Sequence, residues 1–387
     1  MRLVFPYLAQ AHQILHSLPI AAAIAERHSE VDVHVAAINE NQLNFARRLI
    51  ARHAPLARLS FDLLPVPLLD RLRLKIGFGN QHLKQYTLLH NRHYFSGFDA
   101  VVAPERTSLF LRRIGLPVRL IWTRHGAGDR EIGFAQDVRQ FDFVLMAGRK
   151  IEQRLLEAHL IQPGRYITGV YAKFDWAERA SHESLFGNER PTVLYNPHFR
   201  SALSSWPRYG RMVLDSLAAS TRYNLVFAPH VRLFDPPTDA AYRSFSAYAS
   251  LPHVRIDLGS ERSIDMSYTG AANLYLGDVS SQIAEFVRRP RPCVFLDAHT
   301  TAWQGNPSYQ FWALGPVLGS THCLESQLDD AFATQSQFEA AQRRYIEDTF
   351  ELQPGPTAPR GADAIVEFLS SLKPRRPSAA AVTTHTK

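Results

Sequence analysis

The sequence predicts an α/β protein with two doubly wound, parallel-sheet domains that face a central cleft. Short β-rich runs alternate with helical runs along the chain, a pattern typical of parallel sheets covered by helices. The 387 residues, 45% of them hydrophobic, suffice for two domains with cores of their own. A polar segment at residues 176–191 separates two sets of predicted strands and has the composition of an interdomain linker.

The predicted strands are short runs rich in β-branched, aromatic and other apolar residues. In the first half they are residues 3–5, 31–37, 61–66, 100–104, 118–123 and 143–146, with helices such as 41–52 and 108–114 between them. In the second half they are residues 192–195, 225–228, 254–257, 274–276 and 293–296. We therefore assign residues 1–180 to an N-terminal Rossmann-like domain and 191–372 to a C-terminal one. Residues 374–387, rich in Ala, Ser, Thr and Pro, are predicted to be a disordered tail.

The chain is basic, with a formal net charge of +7, but its 43 Lys and Arg residues are spread along the sequence. It has no dense stripe of basic and aromatic residues, so we expect no nucleic-acid partner. The charge instead favours phosphate-bearing substrates or an anionic membrane surface. The two cysteines, Cys293 and Cys323, form neither a disulfide framework nor a metal motif, which favours a reducing, cytoplasmic setting.

The first residues superficially resemble a signal peptide, because residues 5–25 carry no charged side chain. Pro6, Gln10, His12 and Pro19 interrupt the apolar core of this stretch, so a strand, a loop and a helix of the first domain fit better. No other stretch approaches the roughly 20 apolar residues of a transmembrane helix. We expect any membrane contact to be peripheral.

Polar residues at strand ends are the candidates for a site, because ligands of doubly wound sheets bind beyond the carboxyl ends of the strands. One apolar strand is followed at once by Asp278, then by Ser280, Ser281 and a helical pattern. The first N–H groups of a helix lack intrahelical partners and favour negative charge, so we predict that these serines cradle a phosphate. Helix capping without any ligand is the alternative.

Three other strand ends carry histidine or arginine. His125 and Gly126 follow residues 118–123, and His125 is placed to act as a general base in the cleft. Arg200 follows residues 192–195 and could hold a phosphate with its planar fork of donors. His230 and Arg232 follow residues 225–228 as a cationic pair. For each of them, an ordinary loop side chain bonded to backbone or solvent is the alternative.

The loop after the first strand carries His12 and His16 at a spacing that would suit a metal on a helix. No third ligand accompanies them, so we predict no metal site and expect His12 to line the cleft. The phosphate-binding motif G-x-x-x-x-G-K-[ST], the dinucleotide motif G-x-G-x-x-G and the G-x-S-x-G nucleophile elbow are all missing from the sequence.

Taken in order, these motifs resemble the CDP-glycerol glycerophosphotransferase family, the enzymes of teichoic-acid and related polymer synthesis. The resemblance covers about residues 121–372 and rests on RHG at 124–126, ITGVYAKFD at 167–175, LYNPHFR at 194–200, FAPHVR at 227–232 and GDVSSQIAEF at 277–286. The chain departs from the family at five positions: Arg124 replaces Trp, Val279 replaces Tyr, Glu285 replaces Asp, and His198-Phe199 replaces Thr-Trp.

The resemblance implies a GT-B-like fold in which the first domain faces the acceptor and the second binds the donor, with the final helices packed back toward the first domain. It implies transfer of glycerol phosphate, or a similar alcohol phosphate, from a CDP-activated donor to a hydroxyl of an envelope glycan or lipid-linked acceptor. The enzyme would lie peripherally on the inner face of the cytoplasmic membrane. No cofactor is implied.

On this basis we assign an expected role to each candidate. His125 would be the base, while His230 and Arg232 would neutralise the donor phosphates and Arg200 would act as a further clamp. Ser280 and Ser281 would contact phosphate, and Asp278 would organise them or a donor hydroxyl. The remaining residues expected to line the cleft are His12, Gly126 and Glu285.

Two alternatives remain open at this point. A nucleotide-sugar glycosyltransferase of the same architecture would use His125 as the base for attack on a sugar carbon. A non-catalytic relative would bind a phosphorylated glycan or anionic lipid without turnover; the replacements at Arg124 and Val279 favour this alternative, and the retained His125 argues against it.

Overall fold

The computed structural model describes residues 1–8, 10–67, 81–127, 131–177 and 185–372. Residues 178–184 of the predicted linker and the predicted tail at 374–387 lie outside these ranges. Within them, the strands form two parallel sheets, one in each half of the chain. The prediction of two doubly wound α/β domains is confirmed.

The first sheet contains seven strands among the described residues, in the order β3-β2-β1-β4-β5-β6-β7. They are β1 Arg2–Tyr7, β2 Asp32–Ala37, β3 Ser60–Leu63, β4 Ala100–Ala103, β5 Arg119–Trp122, β6 Phe143–Leu145 and β7 Tyr166–Ile167. The chain reverses its direction of winding between β1 and β4. Carboxyl ends of strands beside such a reversal form the ligand-binding edge of doubly wound sheets.

The second sheet contains six strands among the described residues, in the order β10-β9-β8-β11-β12-β13. They are β8 Thr192–Asn196, β9 Asn224–Phe227, β10 Val254–Ile256, β11 Leu274–Gly277, β12 Cys293–Leu296 and β13 Val317–Leu318. Every strand predicted from the sequence overlaps an observed one. The sequence does not predict β7 and β13, which are edge strands of two residues each.

Helices connect the strands and cover both sheets. In the first half the α-helices are Leu18–Arg27, Glu40–His53, Gln81–His90, Arg92–Ser96, Phe110–Arg113, Arg149–Glu157 and Lys173–Ala177, and the 3-10 helices are Ala11–His16, Arg106–Leu109, Glu131–Phe134 and Gln136–Gln140. In the second half the α-helices are Trp206–Ala218, Asp239–Arg243, Ser246–Ala249, Ser267–Ala271, Gln282–Phe286, Leu324–Ala333, Gln335–Phe350 and Ala358–Ser371, and the 3-10 helices are Ser201–Leu203, Glu261–Ser263 and Pro307–Leu314.

The two domains pack directly against each other. One hydrophobic cluster contains side chains of both sheets and their helices, including Trp122 from the first domain and Phe286 from the second. An exposed ion pair between Arg48 and Glu261 also joins the domains. The closed arrangement therefore buries apolar surface from both halves, which stabilises it by roughly 25 cal/mol per Å².

The last helix, Ala358–Ser371, returns to the first domain, as the resemblance implies. It packs against the helix Leu18–Arg27, and a Cβ atom at Gly361 would lie 3.0 Å from Val170 and 3.1 Å from Leu145. The carboxylate of Asp175 accepts hydrogen bonds from the N–H groups of Thr357 at 2.8 Å and Ala358 at 2.5 Å. Asp175 thus satisfies N–H groups at the start of this helix that have no intrahelical partner.

We expect Asp175→Ala to lower the free energy of unfolding by about 1–2 kcal/mol, because two N–H groups at the helix start lose their acceptor. Urea denaturation followed by circular dichroism measures the change. Asp330→Ala is the matched control, since Asp330 is exposed on the helix Leu324–Ala333. Equal effects of the two substitutions would contradict the capping role.

Candidate active site

A cleft of about 510 Å³ lies between the domains at the carboxyl ends of the strands. Its walls come from the loops after β1, β4 and β5 on one side and after β8, β9 and β11 on the other. The predicted site residues that line it are His12, His125, Gly126, Arg200, His230, Arg232, Ser280, Ser281 and Glu285. The sequence therefore identified side chains that the fold brings together from both domains.

His125 follows β5, between two residues with left-handed backbone. Arg124 has a φ of 53° and Gly126 a φ of 77°, so the chain turns sharply and presents the histidine to the cleft. The His125 Nδ1 atom lies 2.8 Å from the carbonyl oxygen of Pro104. A carbonyl can only accept, so Nδ1 carries the proton. In the neutral ring, the lone pair is then on Nε2.

The environment of His125 lowers its pKa below the ordinary value of 6.5. Desolvation within the cleft is the main cause, and repulsion from Arg124 and Lys84 adds to it. The hydrogen bond to Pro104 and the charge of Glu105 act in the opposite direction. The neutral imidazole, which is the form that can accept a proton, is therefore favoured.

Arg124, which stands where the resembled family has Trp, anchors this loop. Its guanidinium lies 4.8 Å from the ring centroid of Trp122 and 5.1 Å from that of Phe134, and Nη1 donates to the carbonyl of Gly133 at 2.9 Å. Stacking of a guanidinium on aromatic rings is favourable, more so when partly desolvated. Arg124 thereby fixes the conformation of the loop that carries His125.

The loops after β8 and β9 share the tetrapeptide P-H-x-R and the same local geometry. The N–H of Arg200 donates to Nδ1 of His198 at 3.0 Å, and the N–H of Arg232 donates to Nδ1 of His230 at 3.2 Å. Nδ1 of each histidine is thus an acceptor, and its proton lies on Nε2. His230 and His125 therefore have opposite tautomers: His230 offers a donor, and His125 offers a lone pair.

Arg200 and Arg232 are exposed in the cleft, and both lie near the same aromatic ring. Their guanidinium carbons lie 5.7 Å and 4.2 Å from the ring centroid of Phe199, and the ring of His230 lies 4.6 Å from it. Within the described part of the chain, neither arginine forms an ion pair. These two positive charges are therefore available to an anion.

Two other cations of the cleft are neutralised by nearby carboxylates. Lys84 pairs with Glu105 at 2.5 Å, and Arg106 pairs with Asp137. Both pairs belong to the first-domain wall. The two exposed arginines of the second domain, by contrast, remain available to phosphate.

Asp278 lies behind the cleft wall rather than on it. Its buried carboxylate accepts hydrogen bonds from the N–H groups of His198 at 2.9 Å, Val279 at 2.6 Å and Ser205 at 2.6 Å, and from the Ser205 hydroxyl at 2.8 Å. Burial raises the pKa of Asp278 to about 6, against the effect of these hydrogen bonds.

The role of Asp278 toward substrate or toward Ser280 and Ser281 stays a prediction. In the structure its carboxylate ties the loop after β11 to the loop after β8. The helix after the serines, Gln282–Phe286, is also shorter than the sequence pattern indicates. Ser280 is buried, and its hydroxyl accepts the N–H of Gln282 at 3.2 Å. Ser281 makes no capping hydrogen bond and lies close to Gly126 across the cleft.

A buried ion pair crosses between the domains beneath these loops. Lys173 Nζ lies 2.8 Å from both carboxylate oxygens of Glu285, and both side chains are 5% exposed. The Tyr171 hydroxyl donates to the same carboxylate at 2.8 Å. Sequence reasoning missed Lys173 and Tyr171, although both lie within the ITGVYAKFD segment.

The two histidines of the first loop have different surroundings. They lie on the 3-10 helix Ala11–His16, where His12 lines the cleft and His16 packs 5.4 Å from the ring of Tyr171. Among the described residues, no group of three or more His, Cys, Asp or Glu side chains is placed to hold a metal ion. In the same part of the chain, no helix is long and apolar enough to cross a membrane.

The fold and the interdomain cleft define a protein of the GT-B-like class. Its structure is similar to that of the wall teichoic acid polymerase TagF soaked with CDPG, with a TM-score of 0.65 and 12% identity over 95% of this chain and 88% of that one. It is also similar to UDP-GlcNAc 2-epimerase from Neisseria meningitidis bound to UDP-GlcNAc, with a TM-score of 0.59 and 11% identity over 95% of this chain and 100% of that one.

A third similar structure is S. aureus MnaA with UDP, with a TM-score of 0.62 and 12% identity over 96% of this chain and 98% of that one. The sequence matches no protein-family model and no curated protein. At these identities the similarities are evidence for the fold.

We expect Lys173→Met to lower the free energy of unfolding by about 3–5 kcal/mol, because the Glu285 carboxylate stays buried without its partner. The double variant Lys173→Met/Glu285→Met removes both charges and should recover most of this loss. Chemical denaturation of the two variants measures both values. A double variant that is no more stable than Lys173→Met would show that the two side chains do not act as a pair.

Proposed function

We propose that the protein transfers glycerol phosphate, or a similar alcohol phosphate, from a CDP-activated donor to a hydroxyl of an envelope glycan or lipid-linked acceptor. The observation that carries the proposal is the opposed pair of histidines. His125 offers an Nε2 lone pair from the first domain, while His230 offers an Nε2–H beside Arg200 and Arg232 on the second. This combination suits proton removal on one side and phosphate binding on the other.

In the proposed reaction, Nε2 of His125 takes the proton of the acceptor hydroxyl. The hydroxyl oxygen attacks the donor phosphorus that carries the alcohol, and the bond from this phosphorus to the CMP oxygen breaks. CMP leaves with the bonding electrons. Nε2–H of His230 and the guanidinium groups of Arg200 and Arg232 donate to the phosphate oxygens as charge moves toward CMP. The reaction needs no redox step and no resident cofactor.

The Ser281 hydroxyl faces the cleft beside Gly126 and would contact the phosphoryl group from the second domain. Ser280, which is buried, would hold the conformation of this loop. We further propose that the protein works in the cytoplasm, peripherally at the inner face of the membrane, where its positive charge favours an anionic surface.

The donor can be identified by thermal-shift measurements with CDP-glycerol, CDP-ribitol, UDP-sugars and CMP-sugars. A donor at about 100 times its dissociation constant should stabilise the fold by roughly 2.7 kcal/mol. Release of CMP from the selected donor, with membranes as the acceptor source, then tests transfer. Stabilisation without nucleotide release would favour a non-catalytic binding protein over a transferase.

A second candidate class is supported by the fold similarity to UDP-GlcNAc 2-epimerase, which extends over that whole chain. A nucleotide-sugar enzyme, either an epimerase or a glycosyltransferase, would use the same second-domain wall for the diphosphate. Stabilisation by UDP-GlcNAc and conversion of its sugar would support this class. Stabilisation by CDP-glycerol with release of CMP would support the glycerophosphotransferase.

We expect His125→Ala to lower kcat by about 10²–10⁴-fold, because the acceptor hydroxyl loses its base. Donor affinity should change little, since the proposed contact of His125 is with the acceptor hydroxyl and not with the donor. Steady-state release of CMP, together with donor binding by calorimetry, measures both quantities. Normal turnover by the variant would overturn the assignment of His125.

The pH dependence of kcat/KM should report the ionisation of His125. Only the neutral ring can take the proton, so kcat/KM falls as pH drops through the pKa of this group. Because the site lowers this pKa, the acidic limb of the profile should lie below pH 6.5. An acidic limb centred above pH 6.5 would contradict a base in this environment.

Arg232→Met should weaken binding of CDP by about 10- to 100-fold, equivalent to the roughly 1.5–3 kcal/mol of a hydrogen bond to a charged group. Binding of cytidine, which has no phosphate, should not change. Arg243→Met is the matched control, because Arg243 is exposed and does not line the cleft. Equal losses for CDP and cytidine would exclude a phosphate contact.

A further inference from the structure

A third histidine, His12, is a neighbour of both histidines of the proposed mechanism. Its ring centroid is 6.2 Å from that of His125 and 6.4 Å from that of His230, with edge-to-face geometry in both cases. It belongs to the 3-10 helix that follows β1, so it reaches the cleft from a different loop from either neighbour. His12 is therefore close enough to both rings to share a ligand with them.

The surroundings of the two ring nitrogens of His12 indicate which of them carries the proton. Nδ1 is buried and has no hydrogen-bond partner among the described residues. A buried N–H without a partner is rarer than a buried acceptor without one, so the unprotonated nitrogen should be Nδ1. The proton is then on Nε2, and the side chain that carries it lines the cleft.

The charge state of His12 follows from its surroundings. Burial lowers its pKa well below 6.5, and His125, His230, Lys173 and Arg232 lower it further because each is positive or can become so. None of these causes is a carboxylate, which would raise the pKa. His12 is therefore an uncharged donor, unlike the arginines that bind phosphate by charge.

We propose that His12 is a further catalytic residue, whose Nε2–H donates a hydrogen bond to the group transferred between His125 and His230. It contacts a non-bridging oxygen of the phosphoryl group, which becomes more negative as the acceptor oxygen attacks. No proton is transferred to or from His12. The inference rests on the proposed function only for the identity of that group.

A series of substitutions tests this role. The side-chain amide of Gln places an N–H near the position of Nε2, while that of Asn places it near Nδ1. We expect His12→Ala and His12→Asn to lower kcat by about 10²–10³-fold, as for the loss of one donor to a developing oxyanion, and His12→Gln to retain most of the activity. The thermal unfolding temperature should be the same for all three.

The control is His322→Gln, because His322 is exposed and outside the cleft lining. It should behave as the wild type. Wild-type turnover by His12→Ala would overturn the proposal, and so would a better rescue by Asn than by Gln. A fall in unfolding temperature that parallels the fall in kcat across the series would assign His12 a structural role instead.

Nitrogen NMR of protein labelled at histidine tests the same inference without turnover. The His12 signals, identified by their loss in His12→Gln, should show an unprotonated Nδ1 and a protonated Nε2. Addition of CDP, or of UDP if the thermal-shift screen selects it, should move the Nε2 signal. A protonated Nδ1, or an Nε2 signal insensitive to the nucleotide, would overturn the inference.

If the wild type released neither CMP nor UDP, the proposed function would fail, while this measurement would still decide the role of His12.

Discussion

The site depends on the buried pair formed by Lys173 and Glu285. Each charge would be costly to bury alone, so the closed arrangement of the domains satisfies both at once. Glu285 belongs to the short helix after Ser280 and Ser281, whereas Lys173 begins the helix that follows the last strand of the first sheet. The pair therefore fixes the distance between the two walls. Tyr171, bonded to the same carboxylate, extends the connection toward His16, and the N–H of Gly126 contacts His16 Nδ1 at 3.4 Å.

Backbone groups determine the chemistry of the histidines in this cleft. Pro104 offers His125 a carbonyl, and Arg232 offers His230 an N–H, so the two imidazoles differ in the nitrogen that carries the proton. Asp278 stabilises the loop that carries His198, because its buried carboxylate accepts hydrogen bonds from the N–H groups of His198 and Ser205. Identical side chains thus acquire complementary properties from the turns that hold them.

Much of the fold could be predicted from the sequence because most of the strands are short apolar runs buried on both faces. The candidate residues could also be found, since the carboxyl ends of parallel strands share one edge of each sheet. Lys173 could not be predicted in this way, because it does not follow a strand directly and its partner is more than 100 residues away in the chain. The hydrogen bonds of Asp278 could not be predicted for a related reason: the sequence shows where a carboxylate lies but not which N–H groups surround it.

The return of the last helix to the first domain affects the order in which the chain can fold during synthesis. The first sheet is complete in sequence by Ile167, yet the apolar face beside Leu18–Arg27 stays uncovered until Ala358–Ser371 has been made. A ribosome must therefore synthesise the whole second domain before the first can reach its final form. The N-terminal half has to remain protected from aggregation through that interval, and a chain truncated before residue 358 would expose this face permanently.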